Sequence, residues 1–196
     1  MRSAAGWVIR TFVGDVQFAS FLVHSHKKTV RQYNDYVADK LTFERATRGT
    51  LLSGAPSGLD AIIAPVQAVP AVPHGGCDHL APLACSTLVF NVVDSPVGVI
   101  PVTRVDPARD ALSDTWRAAP GGGSKLLERE LYGPKGAYDV RAMEGLPVGV
   151  QIVSEAWGEE KVLAIMHVVD AALGPRGFGP GSWAPSKQNG TASEKE

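Results

Sequence analysis

The fold is decided by residues 147–173, which read PVGVQIVSEAWGEEKVLAIMHVVDAAL. The first seven residues form an apolar run without strict alternation, the pattern of a strand covered on both faces in a parallel or mixed sheet. Downstream, Glu159 and Glu160 are typical of a helix start, and Gly174 followed by Pro175 is typical of a helix end. The apolar residues between them recur on one helix face, at Val162, Ile165, Met166, Val169 and Leu173. This stretch therefore predicts a buried strand followed by an amphipathic helix.

Two more apolar runs upstream predict two more strands, over residues 59–64 and 97–103. A buried helix is expected between them, over residues 80–93, and two amphipathic helices are expected earlier, over residues 7–23 and 30–48. This order of elements gives the fold class α/β, with a mixed central sheet covered by helices. Because three mostly buried strands cannot close a sheet, we expect the sheet to be incomplete.

Residues 106–144 are polar and are interrupted repeatedly by glycine and proline. This composition predicts a long segment that leaves the sheet between two strands, and we call it the excursion. Residues 184–196 are polar and predict a disordered tail.

Composition excludes several classes of protein. The chain has 196 residues, with 19 Lys and Arg against 20 Asp and Glu, and its net charge of −1 removes the electrostatic basis for non-specific nucleic-acid binding. Two cysteines do not make a disulfide framework and indicate a reducing compartment. No apolar stretch approaches the length of about 20 residues that a spanning helix needs. We therefore expect a cytoplasmic chain with no transmembrane segment and no nucleic-acid partner.

One cluster has the residue types of a metal site: His74, Cys77, Asp78 and His79, with Cys85 shortly after. Thiolate and imidazole groups bind zinc, but the spacing matches no regular zinc finger or ribbon. A glycine-bearing loop with a buried cysteine at the start of the next helix is the favoured interpretation. No metal is expected.

The glycine run 121–123 is followed by Ser124 and Lys125. A phosphate-binding loop needs the lysine before the serine or threonine, so that interpretation fails. The residue types allow a serine nucleophile at Ser124, because glycine supplies backbone donors and serine supplies the oxygen. Nothing nearby in sequence supplies a general base. A flexible linker is favoured.

The segment before the second strand and Trp157 each have two possible interpretations, one structural and one involving a ligand. Asn91, Asp94, Ser95 and Pro96 lie where a helix gives way to a strand, and they either line a ligand crevice or cap and turn the chain. Trp157 either anchors the core or forms one wall of an apolar pocket.

Three segments together resemble the amidase signature family, in particular its eukaryotic branch of acetamidases and fatty-acid amide hydrolases. Residues 145–160, GLPVGVQIVSEAWGEE, resemble the C-terminal signature of the family. Residues 91–103, NVVDSPVGVIPVT, resemble the preceding segment, and residues 59–65, LDAIIAP, resemble a strand with the pattern LD-x-hydrophobic-hydrophobic-x-P. Their order and spacing agree with the family, and the match covers roughly residues 30–175.

The resemblance implies that the chain forms part of an α/β/α fold. It also implies the activity of the family, which hydrolyses carboxylic amides. Members use a Ser–cis-Ser–Lys triad and need neither a metal nor an organic cofactor. The Gly-Gly-Ser-Ser-Gly-Gly type of motif that carries the serines does not occur in this chain, so no catalytic residue is assigned. Residues 1–183 are then interpreted as the C-terminal part of an amidase domain, inactive alone.

The resemblance also implies a substrate site and partners. Residues that help line the acyl cavity in the eukaryotic branch correspond here to Val99, Ile100, Val102, Thr103 and Trp157, although apolar positions of this kind would suit any core. The substrate class is a small-molecule amide, fatty or short. A truncated hydrolase separated from its N-terminal half is the favoured interpretation. The alternatives are a non-catalytic acyl-amide-binding pseudoenzyme, or a half that associates with a partner chain, and a homo-oligomer is compatible with either.

Overall fold

The computed structural model describes residues 6–49, 59–118 and 123–178. Within these ranges the helices are α1 (Val16–His24), α2 (Val30–Thr47), α3 (Cys77–Leu80), α4 (Cys85–Val92), α5 (Asp114–Ala118), α6 (Lys125–Tyr132) and α7 (Glu159–Leu173). A π-helical turn (Ile9–Val13) precedes α1, and a 3-10 turn (Ala81–Ala84) joins α3 to α4. The strands are β1 (Ile62–Pro65), β2 (Val97–Arg104) and β3 (Pro147–Val153). The predicted α/β class is confirmed, and the predicted disordered tail, residues 184–196, lies outside the described residues.

The helix predicted over residues 7–23 is interrupted at Gly14. Gly14 has a φ of 71°, a left-handed conformation that glycine adopts without steric cost. The next residue, Asp15, caps α1 by accepting a 2.8 Å hydrogen bond from the Phe18 N–H. The second predicted helix is confirmed as α2, which begins with a capping box between Thr29 and Gln32.

β3 is the central strand of a sheet with the order β1–β3–β2. It runs antiparallel to both neighbours, so the strand directions differ from the parallel or mixed arrangement that we expected. The sequence pattern did not reveal the strand direction because β3 is buried on both faces. Gln151, Ile152 and Val153 alternate between the two faces of the sheet, and each is at most 1% exposed. A central antiparallel strand that is covered on both faces therefore carries the same continuous apolar run as a parallel strand.

α7 packs across one face of this sheet, as predicted. Gly98 of β2 allows the close approach, because a Cβ atom at this position would lie 2.1 Å from the Met166 sulfur and 2.9 Å from Val162. The buried cluster at this interface comprises Ile100, Ile152 and Val162, and partly buried Ala61, Ile165, Met166 and Val169 surround it.

The predicted excursion, residues 106–144, contributes to a second core. Leu131 of α6 packs with Val69 and Leu80 in a separate buried cluster. The excursion returns to the sheet where the Gly145 N–H donates a 3.0 Å hydrogen bond to the Val105 carbonyl. α4, the helix predicted between β1 and β2, is present but has no fully buried side chain among its residues.

Candidate functional site

An open apolar groove of about 410 Å³ lies beside the sheet, and we call it the strand groove. Its walls are residues 66–71, which follow β1, together with Val99 and Pro101 of β2 and residues 147–149 of β3. Apart from Gln67, these residues have apolar side chains or none. The volume and the lining are those of sites that hold small organic ligands.

Gln151 holds the loop wall of the strand groove in place. Its buried side-chain amide donates a 2.7 Å hydrogen bond to the Pro65 carbonyl and a longer one, 3.4 Å, to the Ser86 carbonyl. The Ser86 hydroxyl in turn donates to the Val66 carbonyl at 3.1 Å. These bonds satisfy a polar side chain that would otherwise be costly to bury. We did not predict this role, although a glutamine within an apolar strand was the available signal.

Of the residues expected to bind substrate, Val99 lines the strand groove and is 51% exposed. Its neighbour Ile100 belongs to the buried cluster beneath α7, on the other face of β2. Val102 is the extra residue at an irregularity in the pairing of β2 with β3, and Thr103 follows it with an exposed side chain. The structure therefore brings Val99 to the groove and places Ile100 in the core.

Trp157, the fifth of these residues, is 92% exposed, so the core-anchor alternative is wrong. It follows the C-terminal end of β3, whereas the strand groove borders the N-terminal end of that strand. The structure does not bring Trp157 together with Val99, and its role in substrate binding stays a prediction.

The turn between α4 and β2 anchors α2. Asp94 accepts a 2.7 Å hydrogen bond from the Lys40 ammonium group, and Arg48 donates to the Val93 carbonyl at 3.2 Å. The bond from Lys40 lowers the pKa of the Asp94 carboxyl and raises the pKa of Lys40 in return. These contacts favour the capping-and-turning alternative for this segment over the ligand crevice.

Ser124 is part of a packed helix junction, so the flexible-linker interpretation is wrong for this residue. Its side chain caps α6 by accepting a 3.3 Å hydrogen bond from the Leu127 N–H, and its hydroxyl donates to the Asp15 carboxylate at 2.5 Å. Asp15 also accepts from the Leu126 N–H at 3.1 Å, and both Asp15 and Ser124 are buried. Gly121 and Gly122 lie outside the described residues.

The hydrogen bonds of this junction shift the pKa of Asp15. Burial alone would raise the pKa of Asp15, but the hydrogen bonds from Ser124, Leu126 and Phe18 outweigh it and hold that pKa below its ordinary value. The lowered pKa keeps Asp15 ionised as the hydrogen-bond acceptor that joins α1 to α6.

A second groove, of about 420 Å³, adjoins the junction, and we call it the helix groove. Its walls are α1, the 3-10 turn and α6, and they are apolar except for Arg129 and Glu130. Because the Asp15–Ser124 hydrogen bond joins α1 to α6, it also holds two walls of this groove together.

Of the cluster with the residue types of a metal site, the structure describes the side chains of His74, Cys77 and Cys85. Among the side chains that the structure describes, no three from His, Cys, Asp or Glu are grouped so as to hold a metal ion. The thiols of Cys77 and Cys85 are exposed, so the expected buried cysteine is wrong. The side chains of Asp78 and His79 are outside the described set.

No helix in the described part of the chain has both the length and the apolar character needed to cross a membrane.

Comparison with known proteins identifies relatives of the chain. The family model described as Amidase matches residues 5–163. An acetamidase from Aspergillus oryzae is 37% identical over 116 residues, which are 59% of this chain and 19% of that protein. Fatty-acid amide hydrolase 1 from Sus scrofa is 28% identical over 118 residues, which are 60% of this chain and 19% of that protein. The matched part of the chain thus spans about a fifth of the length of these relatives.

The fold has a counterpart among solved structures. A fatty acid amide hydrolase superposes on this chain with a TM-score of 0.63 and 20% identity, covering 77% of this chain and 25% of that one. At this identity the likeness concerns the fold.

Proposed function

Because the chain belongs to the amidase family, we propose that it forms the C-terminal part of a hydrolase of carboxylic amides, with the strand groove as the wall that receives the acyl group. The apolar groove itself is the observation that carries this proposal. Burying an acyl chain there gains about 0.8 kcal/mol for each CH₂ group removed from water. Relatives named acetamidase and fatty-acid amide hydrolase set the range of acyl groups to test, from short to long.

In this proposal the chain supplies binding surface and no catalytic group. The serine that the sequence offered, Ser124, is occupied as a helix cap and as a donor to Asp15. The nucleophile and base of the hydrolase are then supplied from outside these 196 residues. Loss of a nucleophile and its base lowers the rate by several orders of magnitude, so the chain alone is inactive.

Among the five residues proposed for substrate binding, Val99 has direct access to the groove. Ile100 acts indirectly, by packing β2 against α7. Val102 and Thr103 occupy the same strand just beyond the groove, and Trp157 lies at the far end of β3. The proposal therefore ranks Val99 first for mutation.

A calorimetric titration of the full chain with a long-chain primary amide, and separately with acetamide, tests the groove. Val99→Trp places a bulky indole in the strand groove and is expected to weaken saturable binding strongly. Val97→Trp is the matched control, because Val97 lies on the same strand, is 41% exposed and is outside the groove lining. A flat titration of the unmodified protein, or equal loss of binding in the two variants, would contradict the proposal.

A second candidate function is a non-catalytic acyl-amide-binding protein. The observation that favours it is that Ser124 of this chain is engaged as a helix cap and as a donor to Asp15 rather than being presented to the strand groove. The two functions differ in what happens when the chain is mixed with the Aspergillus oryzae acetamidase shortened by the matched 116 residues. Restored amide hydrolysis favours the hydrolase, whereas retained binding without hydrolysis favours the binding protein. A cytoplasmic location stays a prediction from composition.

A further inference from the structure

The wall of the strand groove at Pro101 receives little support from the sheet. Proline has no backbone N–H to donate to a neighbouring strand. The pairing of β2 with β3 then shifts between Pro101 and Thr103, which leaves Val102 without a paired residue on β3. Because β2 is an outer strand, no second strand among the described residues compensates for this irregularity. The groove wall at Pro101 therefore depends on contacts from outside the sheet.

Arg176 supplies such a contact. Its Nε–H donates a 3.2 Å hydrogen bond to the Pro101 carbonyl. The same guanidinium group donates to the end of α7, through Nη1 to the carbonyls of Asp170 and Gly174 at 3.1 and 2.7 Å, and through Nη2 to the Asp170 carboxylate. The Arg176 side chain is 13% exposed, and all three of its nitrogens have acceptors within the chain. Arg176 therefore joins the groove wall to the helix that packs across the sheet.

The shape of the guanidinium group suits this position. Its donors have a fixed, planar arrangement, so one side chain bonds to β2 and to α7 at the same time. A lysine carries its three donors on a single nitrogen. It would keep the positive charge beside Asp170 without reproducing the separate contacts with Pro101 and α7. The contact with Pro101 thus depends on the geometry of Arg176 as well as on its charge.

Arg104 fixes the segment that carries Arg176. It donates to the carbonyls of Gly145 and Gly177 at 2.9 and 3.0 Å, and its guanidinium carbon lies 4.3 Å from the centre of the Phe178 ring. The cation–π contact and the two hydrogen bonds hold this segment beside the C-terminal end of β2. Arg176 therefore reaches the groove wall from a segment that is itself tethered.

The opposite wall of the strand groove is tethered in a comparable way. Gln151 holds the loop of residues 66–71 through its 2.7 Å hydrogen bond to the Pro65 carbonyl. One wall is thus fixed by an amide and the other by a guanidinium group. Dispersion contacts weaken steeply when a gap opens between atoms, so a chain in the groove gains full affinity only if both walls touch it. The positions of the two walls therefore determine how much each CH₂ group of a ligand contributes.

We propose that Arg176 is a positioning residue for the strand groove: by holding the Pro101 carbonyl to the end of α7, it sets the preference of the groove for longer acyl chains. This inference rests on the proposed function, because it specifies how the same groove selects among amides. With both walls in contact, each added CH₂ group should raise affinity about 4-fold. Without Arg176 the wall at Pro101 loses its tether, and the gain should fall to about 2-fold or less for each CH₂ group.

The test is a calorimetric titration of the 196-residue chain with hexanamide, octanamide and decanamide. The readout is the factor by which affinity rises for each added CH₂ group. A loss of stability lowers the affinity for all three amides equally and leaves this factor unchanged, whereas a displaced wall reduces it. Arg176→Ala is expected to reduce the factor. Arg109→Ala is the matched control, because Arg109 is exposed and lies outside the groove lining.

Arg176→Lys carries the same test if the alanine variant does not fold. It keeps the positive charge beside Asp170 and is expected to reduce the factor as Arg176→Ala does. A reduction confined to the Arg176 variants supports the inference. An unchanged factor in either folded variant overturns it, since Arg176 then contributes to stability alone, and so does an equal reduction in Arg109→Ala.

A measurement on the unmodified chain needs no variant. If Arg176 fixes the wall before a ligand binds, amide hydrogen exchange at Val102 and Thr103 should be the same with and without decanamide. A gain of protection on binding would show that the ligand shapes the wall, and it would overturn the inference. Absence of saturable amide binding by the unmodified chain would contradict the proposed function and this inference together. Binding with a factor that the Arg176 variants leave unchanged would contradict this inference alone.

Discussion

Replacing Asp15 with alanine is expected to separate two helix starts that one carboxylate holds together. Asp15 caps α1 through the Phe18 N–H at 2.8 Å and reaches α6 through the Ser124 hydroxyl at 2.5 Å. It also accepts a 3.1 Å hydrogen bond from the Leu126 N–H. The alanine variant leaves all three donors without this acceptor, and two walls of the helix groove lose their connection.

The expected cost follows from these contacts. Loss of an N-cap costs about 1 kcal/mol, and a buried hydroxyl left without a partner costs about 1–3 kcal/mol. In the alanine variant the Ser124 hydroxyl loses the acceptor of its own proton but still accepts a hydrogen bond from the Leu127 N–H. The stability lost with the cap and the stability lost at Ser124 are therefore not fully additive. We expect Asp15→Ala to lower the free energy of unfolding by about 3 kcal/mol at pH 7.

The effect should depend on pH with a definite sign. Folding lowers the pKa of Asp15 from its unfolded value of 3.8, so the carboxylate contributes its full stability above that pH. This contribution is lost as the pH falls through the lower folded pKa. The difference in unfolding free energy between the wild type and Asp15→Ala should therefore be constant near neutrality and should shrink below pH 3.8.

Urea unfolding followed by circular dichroism measures both effects. Thr29→Ala, which removes the exposed cap of α2, is the matched control: it should cost about 1 kcal/mol with no comparable dependence on acid pH. A double-mutant cycle with Ser124→Ala should give a coupling of about 1 kcal/mol or more. A loss no larger than that of Thr29→Ala, a difference that does not shrink in acid, or additive single mutants would refute the reasoning.

Two other substitutions test the packing of the sheet and of the strand groove. Gly98→Val should destabilise the fold by about 1–3 kcal/mol through overpacking, because its Cβ would lie 2.1 Å from the Met166 sulfur. Adding Met166→Ala should recover part of that loss in urea unfolding, and strictly additive losses would contradict the contact. Gln151→Leu removes the 2.7 Å donor of the Pro65 carbonyl and should cost about 1–3 kcal/mol while raising amide hydrogen exchange in residues 66–71. Gln67→Leu, at an exposed position in that loop, should change stability by less than about 0.5 kcal/mol, and the reverse ranking would contradict the role of Gln151.

Local sequence patterns predicted the elements whose formation depends mainly on residues close together in the sequence. The apolar run of β3 and the acidic start of α7 gave the strand and the helix at their observed positions. The helix over residues 7–23 was predicted as one element because its apolar spacing continues across Gly14, where the backbone actually turns left-handed. Strand direction could not be read from β3, since burial on both faces produces the same apolar run in either orientation.

The features that escaped prediction depend on contacts between distant residues. Ser124 lies in a glycine-rich polar segment that favours a linker locally, but a hydrogen bond to Asp15, 109 residues away in sequence, makes it part of the structure. Gln151 could have been recognised as a buried polar residue in need of partners, although its partners could not be named. Family resemblance predicted that Val99 lines a substrate site; the structure places Val99 in a groove, and the binding role stays a prediction. The exposed position of Trp157 depends on how the chain leaves β3 and could not be derived from its aromatic character.

The chemistry assigned to this chain is tested by treating the purified 196-residue chain with a serine-reactive fluorophosphonate and measuring its intact mass. A part of an amidase that supplies binding surface without a nucleophile should show no adduct, and Ser124→Ala should give the same result as the wild type. Stoichiometric labelling of the wild type that disappears in Ser124→Ala would contradict the structural role of Ser124. Labelling at any other serine would contradict the assignment of the nucleophile to a part of the hydrolase outside this chain.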